Sequence, residues 1–249
     1  MNFSKKIKIG EYTINKNSPT FIIAEAGVNH GGDIRVAKKL IDVAVAAGVN
    51  AIKFQYFKTE KLILSKVDKA EYQQKTTSEK ESQFEMLKKL EISKKQNHVL
   101  ADYCKANSIM FLTTPFDEQS LQELDEFDLP AYKVASTDTT NLLFLRKIAS
   151  KNKPVLLSTG MSYFSEIEKT LQDILPINQD VVLFQCTSNY PVKNNEVNLR
   201  VLKTFSERFN IITAFSDHTE GIGASPYAVA AGAKIIEKHF TLDKSAKGP

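Results

Sequence analysis

The sequence predicts an α/β chain of the (β/α)8 barrel class, on three observations. Short apolar runs recur eight times along the 249 residues. Most are separated by segments whose apolar residues repeat with the 3.6-residue period of a helix. Several of those segments have a capping residue in front and a glycine behind. Strand alternating with helix means parallel pairing, and eight such units favour a closed barrel over an open sheet.

Ahead of the first strand, the alternation Lys6-Ile7-Lys8-Ile9-Gly10 within Lys5 to Asn17 reads as a β-hairpin occupying residues 1–18 and closing the barrel floor. Strand cores are expected at Phe21 to Ala24, Ala51 to Phe54, Ile109 to Leu112, Ala131 to Val134, Pro154 to Leu157, Val181 to Phe184, Ile211 to Ala214 and Lys234 to Glu237. Helical spacing marks Ile34 to Ala47, Lys94 to Asn107, Leu142 to Lys151, Ser165 to Leu175 and Gly223 to Ala231. Asp33 and Ser93 are suited to cap an N-terminus, and Gly48 and Gly232 to end a helix before the next strand. The polar interval from Phe57 to Lys89, with a Lys/Glu/Gln-rich stretch around Tyr72 to Ser82, is expected to form a loop with helical turns above the mouth, placed as a lid. Only ten residues follow His239, too few for an eighth helix, so that element is expected to be missing.

Hydrophobic residues make up 42% and charged residues 25%. No run approaches the ~20 apolar residues of a membrane span, and the N-terminus leads into no apolar secretion core, so a cytoplasmic location without membrane contact is expected. The net charge of +4 is spread along the chain, with lysines answered by nearby glutamates as in Glu79-Lys80-Glu81. Without a basic block or an aromatic-interleaved basic stripe, nucleic acid is not an expected partner. Cys104 and Cys186 stand alone and are expected to be free thiols.

In such a barrel the active site is built at the C-terminal strand ends. The polar residues there are Glu25, Asn29 and His30, then Lys53 and Gln55, then Thr113, Thr114 and Asp117. Next come Lys133, Ser136 and Asp138, followed by Ser158, Thr159 and Gly160, and by Gln185, Thr187, Ser188, Asn189 and Tyr190. The last two strands add Ser216-Asp217-His218 and Glu237-Lys238-His239. With only four histidines in the chain, His218 and His239 at strand ends read either as ligands of an open divalent metal site or as hydrogen-bonded polar residues. Lys53 and Lys133 lie inside apolar runs, where a cation is costly unless paired. An anionic ligand held with Ser136, Ser158 and the Gly160 amide is one reading, and pairing with Glu25 or Glu237 is the other. Glu25, ahead of Asp138, is the candidate for acid/base work, each with salt-bridge partner as its alternative.

Together, Ile23-Ala24-Glu25-Ala26-Gly27-Val28-Asn29-His30, Lys53-Phe54-Gln55, Glu81-Ser82-Gln83, Thr114-Pro115-Phe116-Asp117, Lys133-Val134-Ala135-Ser136, Leu157-Ser158-Thr159-Gly160-Met161, Cys186-Thr187-Ser188-Asn189-Tyr190-Pro191, Ser216-Asp217-His218-Thr219 and Glu237-Lys238-His239-Phe240-Thr241 resemble the N-acetylneuraminate (sialic acid) synthase family, which includes the legionaminic and pseudaminic acid synthases. The resemblance implies a TIM barrel that condenses phosphoenolpyruvate with an N-acetylmannosamine-type sugar, releases phosphate and uses Mn2+ or Mg2+. It implies that His218 and His239 hold the metal and that Glu25 and Asp138 are catalytic. Substrate-binding roles are implied for Lys53, Gln55, Thr114, Lys133, Ser136, Ser158, Gly160, Ser188, Tyr190 and Ser216. Relatives continue past the position of Gly248-Pro249 with the eighth helix, a linker and a small antifreeze-like domain, and work as homodimers. Residues 1–249 are therefore read as the catalytic domain alone. Aspartate at 138, where many relatives carry glutamate, leaves the choice of sugar open. Two other readings stand beside this one: a phosphoenolpyruvate- and metal-binding barrel without turnover, and a Schiff-base keto-acid aldolase with Lys53 or Lys133 as nucleophile.

Overall fold

The structure, a computed structural model, describes residues 1–69, 73–74, 77, 81–246 and 248. Two short strands, β1 (Ile7–Ile9) and β2 (Tyr12–Ile14), pair antiparallel as the expected hairpin, with Ile7 opposite Ile14. The longer series is β3 (Phe21–Gly27), β4 (Ala51–Tyr56), β5 (Met110–Pro115), β6 (Tyr132–Val134), β7 (Val155–Ser158), β8 (Val181–Gln185), β9 (Ile212–Asp217) and β10 (Ile235–His239). These eight form one sheet in the order β5-β4-β3-β10-β9-β8-β7-β6. Registers are parallel between β4 and β5 and from β6 through β10. Each of the eight apolar runs is thus a strand of an α/β fold of the expected class.

The chain divides into two compact units, residues 1–23 with 129–238, and residues 24–128 with 239–249. In the first, β7, β8 and β9 are buried at every position. Both faces of a parallel sheet are covered, so these strands read as continuous apolar runs instead of alternating ones. Helix Phe164–Ile174 turns Ile167, Leu171 and Ile174 inward, and helix Arg200–Phe209 does the same with Leu202, Phe205 and Phe209. Each such side chain stabilises the unit by roughly 1.5–3 kcal/mol relative to an exposed position. The hairpin buries Phe3, Ile7, Ile9 and Ile14, and its approach is tied down by the Lys5 ammonium, which donates to the Asn210 carbonyl.

In the second unit, Asp33 caps helix Ile34–Ala46 by accepting from the Arg35 amide, and Ser93 forms a capping box with Gln96 on helix Lys94–Ala106. Both caps are the residues the sequence pointed to, and Gly48 follows the first helix with φ +68°. Phe54 and Phe111 stack with ring centroids 6.0 Å apart on the covered face of β4 and β5.

The structure departs from expectation at one helix start and in added helices, and meets it in the loop with helical turns. The helix expected from Gly223 begins at Ser225, because Gly223 has φ +60° and Pro226 takes the first turn, where its missing N–H costs nothing. Helices Glu118–Glu123 and Arg200–Phe209 lie outside the expected set: the first is short, and the second buries only Leu202, Phe205 and Phe209 on a helix that also carries Arg200, Lys203, Glu207 and Arg208. The expected loop from Phe57 to Lys89 holds a short helix at Thr59–Leu62 and helix Gln83–Leu90, opened by a Ser82–Glu85 capping box. Residues 70–72, 75–76 and 78–80 of its Lys/Glu/Gln-rich stretch, and with them the lid expectation, lie outside the described residues. After β10, the described residues form turns. No helix among the described residues is long and apolar enough to cross a membrane.

Candidate functional site

The polar residues collected from the strand ends assemble into two clusters, one in each unit. In the first unit Lys133, on β6 and 3% exposed, donates to Ser158 Oγ at the end of β7 at 2.5 Å. Its ammonium stands 3.7 Å from Glu237 Oε2 and 5.0 Å from the centre of the Phe184 ring. Ser216 and Glu237 are direct neighbours across β9 and β10, and Ser216 Oγ donates to Glu237 Oε1 at 2.9 Å. Ser216 Oγ also lies 3.2 Å from His218 Nε2. One buried cation, one buried carboxylate and two hydroxyls therefore form a chain of contacts, with hydrogen bonds from Lys133 to Ser158 and from Ser216 to Glu237 and an ion pair between the two charges.

His218 closes that chain. Its Nδ1 is 2.6 Å from the Thr187 carbonyl oxygen, a group that only accepts, so Nδ1 carries the proton and Nε2 presents the lone pair. Burial holds the imidazole below its ordinary pKa, against the opposing pull of the Thr187 carbonyl and the Glu237 charge. A neutral imidazole whose single N–H is fixed by a backbone carbonyl is the state in which histidine binds metals. The Tyr190 ring stacks on it at 4.2 Å between centroids, 26° from coplanar. Asp217 anchors the same turn: Oδ1 accepts from the Thr219 amide and hydroxyl, Oδ2 from the Ser225 amide and hydroxyl, and Lys238 Nζ is 3.3 Å away. Burial alone would raise its carboxyl, but those hydrogen bonds from Ser225 and Thr219 outweigh it and hold it low.

Ser136 and Ser188 meet through their hydroxyls at 3.1 Å. Gly160 packs against them so closely that a Cβ there would sit 2.6 Å from Ser188 Oγ and 2.8 Å from Cys186 Sγ. A relay of threonines backs the group: Thr170 Oγ1 donates to the Thr139 carbonyl at 2.7 Å, and Thr139 Oγ1 donates to the Ser158 carbonyl at 2.6 Å. Asp138 lies in the turn Ser136–Asp138 and accepts from Asn141 Nδ2 at 3.1 Å; burial raises its pKa against the opposing hydrogen bonds.

In the second unit Lys53, 4% exposed on β4, forms an ion pair with Glu25 of β3 at 2.7 Å and donates to Thr114 Oγ1 of β5 at 3.1 Å. Around Gly27 (φ +53°) a Cβ would lie 3.4 Å from Glu25 Oε1, 3.7 Å from Gln55 Nε2 and 3.7 Å from His239 Cε1, so these three side chains converge on one spot. His30 is buried, its Nδ1 accepting from the Gly32 amide at 2.9 Å, and desolvation lowers its pKa to about 4. Among the described residues its Nε2 has no hydrogen-bond partner. Both cysteines are buried free thiols with raised pKa, Cys104 to about 12.

Each lysine thus has the carboxylate neighbour that the ligand-free alternative named: Glu25 for Lys53 and Glu237 for Lys133. Two contributors went unseen in the sequence, the Phe184 ring beneath Lys133 and the Thr187 carbonyl that sets the His218 tautomer. Phe184 is one more apolar residue in an apolar strand, and a carbonyl leaves no mark in a sequence. Gly27 sits inside the quoted Glu25-to-His30 motif, and a glycine at that strand end was the available signal.

The profile of the NeuB family matches residues 40–249. The chain is 47% identical over 234 residues to the N,N'-diacetyllegionaminic acid synthase of Campylobacter jejuni, covering 92% of this chain and 70% of that one. To the human N-acetylneuraminate-9-phosphate synthase it is 38% identical, covering 92% of this chain and 64% of that protein. The chain therefore spans about two thirds of the length of these curated relatives. Among solved structures, the N-acetylneuraminic acid (sialic acid) synthetase of Leptospira borgpetersenii, crystallised with citrate, superposes with a TM-score of 0.87 at 35% identity over 99% of this chain and 82% of that one.

Proposed function

The chain belongs to the NeuB family, and from that premise we propose that it carries the catalytic residues of a nonulosonic (sialic) acid synthase, joining phosphoenolpyruvate to an open-chain N-acetylmannosamine-type sugar. The C3 carbon of phosphoenolpyruvate forms a bond to the sugar aldehyde carbon while the aldehyde oxygen takes up a proton. Positive charge develops at C2, water adds there and loses a proton, and the C2–O bond to phosphate breaks, leaving a 2-keto acid and inorganic phosphate.

The observation that carries the proposal is the buried Lys133–Ser158–Glu237–Ser216 array. A desolvated ammonium beside two hydroxyls suits a phosphate or carboxylate, because charge-assisted hydrogen bonds are strongest where water is excluded. Ser136, Ser188 and the Gly160 amide extend that anion-holding role, and in the second unit Lys53 with Thr114 fixes the Glu25 carboxylate. Glu237 beside Lys133 stabilises positive charge as well as balancing the lysine. Gln55 and Tyr190 position the sugar. Glu25 and Asp138 hold or move the hydroxyl and water protons, Asp138 with a pKa that burial raises toward the useful range.

The neutral state and fixed tautomer of His218 fit a divalent metal, with His239 as the second ligand. Bound Mn2+ or Mg2+ would polarise the sugar aldehyde. A homodimer and a cytoplasmic location belong to the same proposal.

The test is inorganic phosphate release from phosphoenolpyruvate with Mn2+ across a panel of N-acylated hexosamines, with and without chelator. Sugar-dependent, chelator-sensitive release is expected and would name the sugar. Phosphoenolpyruvate binding without release would reduce the proposal to a binding barrel. Borohydride trapping of a pyruvate adduct on Lys133 or Lys53, insensitive to chelator, would replace it with aldolase chemistry.

A further inference from the structure

The first unit contains a second cavity, at the other end of the strands that carry Ser216 and Glu237. It has a volume of about 610 Å³ and lies between the flanks of the β1–β2 hairpin and the beginnings of β9 and β10. Lys5 and Lys6 enter it before the hairpin, Lys16 after it, and Lys234 just ahead of β10. Not one aspartate or glutamate is among its lining residues. Lys88, by contrast, is answered by two carboxylates, Glu60 and Glu91. Lys5 donates to the Asn210 carbonyl across the cavity and burial lowers its pKa, which places one ammonium in a partly desolvated wall. Ser206 and Asn210 add a hydroxyl and an amide, and the buried Ile211 and Ile212 form an apolar floor.

We propose that this cavity is a binding site for a phosphate ester with at least two negative charges, of nucleotide or sugar-phosphate size. The volume falls within the roughly 300–1,000 Å³ of small-molecule sites. Four ammonium groups match a doubly charged phosphate or diphosphate as point charges. The amide and hydroxyl groups suit the hydroxyls of a ribose or hexose, and the apolar floor suits a base or a sugar face. Lys234 precedes Glu237 by three residues on one chain, and its amide donates to the Thr213 carbonyl of β9 at 2.8 Å. An anion bound here would therefore press on the same two strands that hold the Ser216–Glu237 pair.

The experiment is calorimetric titration of the intact chain with pyrophosphate, uridine diphosphate and glucose 6-phosphate at two ionic strengths. The variants are Lys6→Glu/Lys16→Glu and, as an equal change in charge at exposed positions of helix Lys94–Ala106, Lys95→Glu/Lys105→Glu. Saturable binding is expected to weaken about tenfold or more in the first variant, to stay within about twofold in the second, and to weaken with salt. Circular dichroism of the first variant should match the parent, since Lys6 and Lys16 are exposed. Tighter binding of uridine diphosphate would identify a nucleotide site, and tighter binding of glucose 6-phosphate a sugar-phosphate site. No saturable binding, binding unchanged in the first variant, or equal losses in both variants would each overturn the proposal.

Discussion

The two buried lysines solve one electrostatic problem in different ways. Lys53 stands in a tight ion pair with Glu25 at 2.7 Å, braced by Thr114, so its charge is spent on a fixed carboxylate. Lys133 makes its shortest bond to a neutral hydroxyl at 2.5 Å and keeps Glu237 at 3.7 Å, while that carboxylate also accepts from Ser216. Coulomb attraction falls with distance, and a hydroxyl neutralises nothing. On the proposed function, Lys133 is the lysine that would meet an incoming anion, and Lys53 the one that locks a carboxylate in place. A buried lysine alone is an ambiguous sign, and the distance to its carboxylate decides which role it plays.

The sharpest way to break that contrast is Lys133→Met, expected to lower phosphate release by about a thousandfold, the scale of losing a preorganised charge at the reacting group. Adding Glu237→Gln should recover stability without recovering turnover, as thermal unfolding and phosphate release measured together would reveal. Turnover within tenfold of the parent would mean that Lys133 is not the anion-holding cation. Lys53→Met is expected to act mainly on stability, costing about 3–5 kcal/mol because Glu25 is left as an uncompensated buried charge. Lys53→Met/Glu25→Gln should regain most of that loss in a urea titration, and failure to regain it would contradict the pairing role.

A smaller effect separates the units by pH. His30 has a folded pKa of about 4 against an ordinary value of 6.5, so the unfolded chain binds the extra proton between those limits. Stability from this group is complete above about pH 6.5, falls as pH drops, and levels off below pH 4 with a loss of about 3 kcal/mol. Urea midpoints at pH 7 and pH 5 should converge in His30→Gln, and an unchanged slope would assign the acid sensitivity elsewhere. His218 shifts in the same direction, so part of the slope should survive the substitution. Smallest of all, Gly27→Ala is expected to cost about 1–2 kcal/mol through its positive φ, its neighbours being at ordinary contact distance. Gly160→Ala should cost more catalytically than Gly27→Ala, because its methyl would displace Ser188 and Cys186.

What the sequence made legible follows from the physics of parallel sheets. Strands covered on both faces must be apolar throughout, so the eight runs stood out, and a lysine interrupting one was conspicuous at once. Asp33 and Ser93 were readable as caps because their side chains act within three residues of their own position. The Lys133–Glu237 and Thr139–Ser158 contacts join residues 104 and 19 positions apart, and strand order, not local sequence, brings them together. The region between Phe57 and Lys89 was legible as a loop with helical turns but not in the bounds of those turns, because they are short and polar. The basic cavity was invisible for a different reason: its four lysines are scattered among many others, and only the fold gathers them.

The threonine relay behind Ser158 has a consequence for how the protein matures. Thr170 belongs to helix Phe164–Ile174, Thr139 to the turn after β6, and the Ser158 carbonyl to the end of β7. The hydroxyl that meets Lys133 is thus set only once that helix has docked and both threonines have found their acceptors. A chain with its strands collapsed but this helix undocked would lack a formed anion pocket. Anion affinity during refolding should then rise with the last packing step and not with the first collapse, and a saturating anion should slow the undocking of that one helix by mass action.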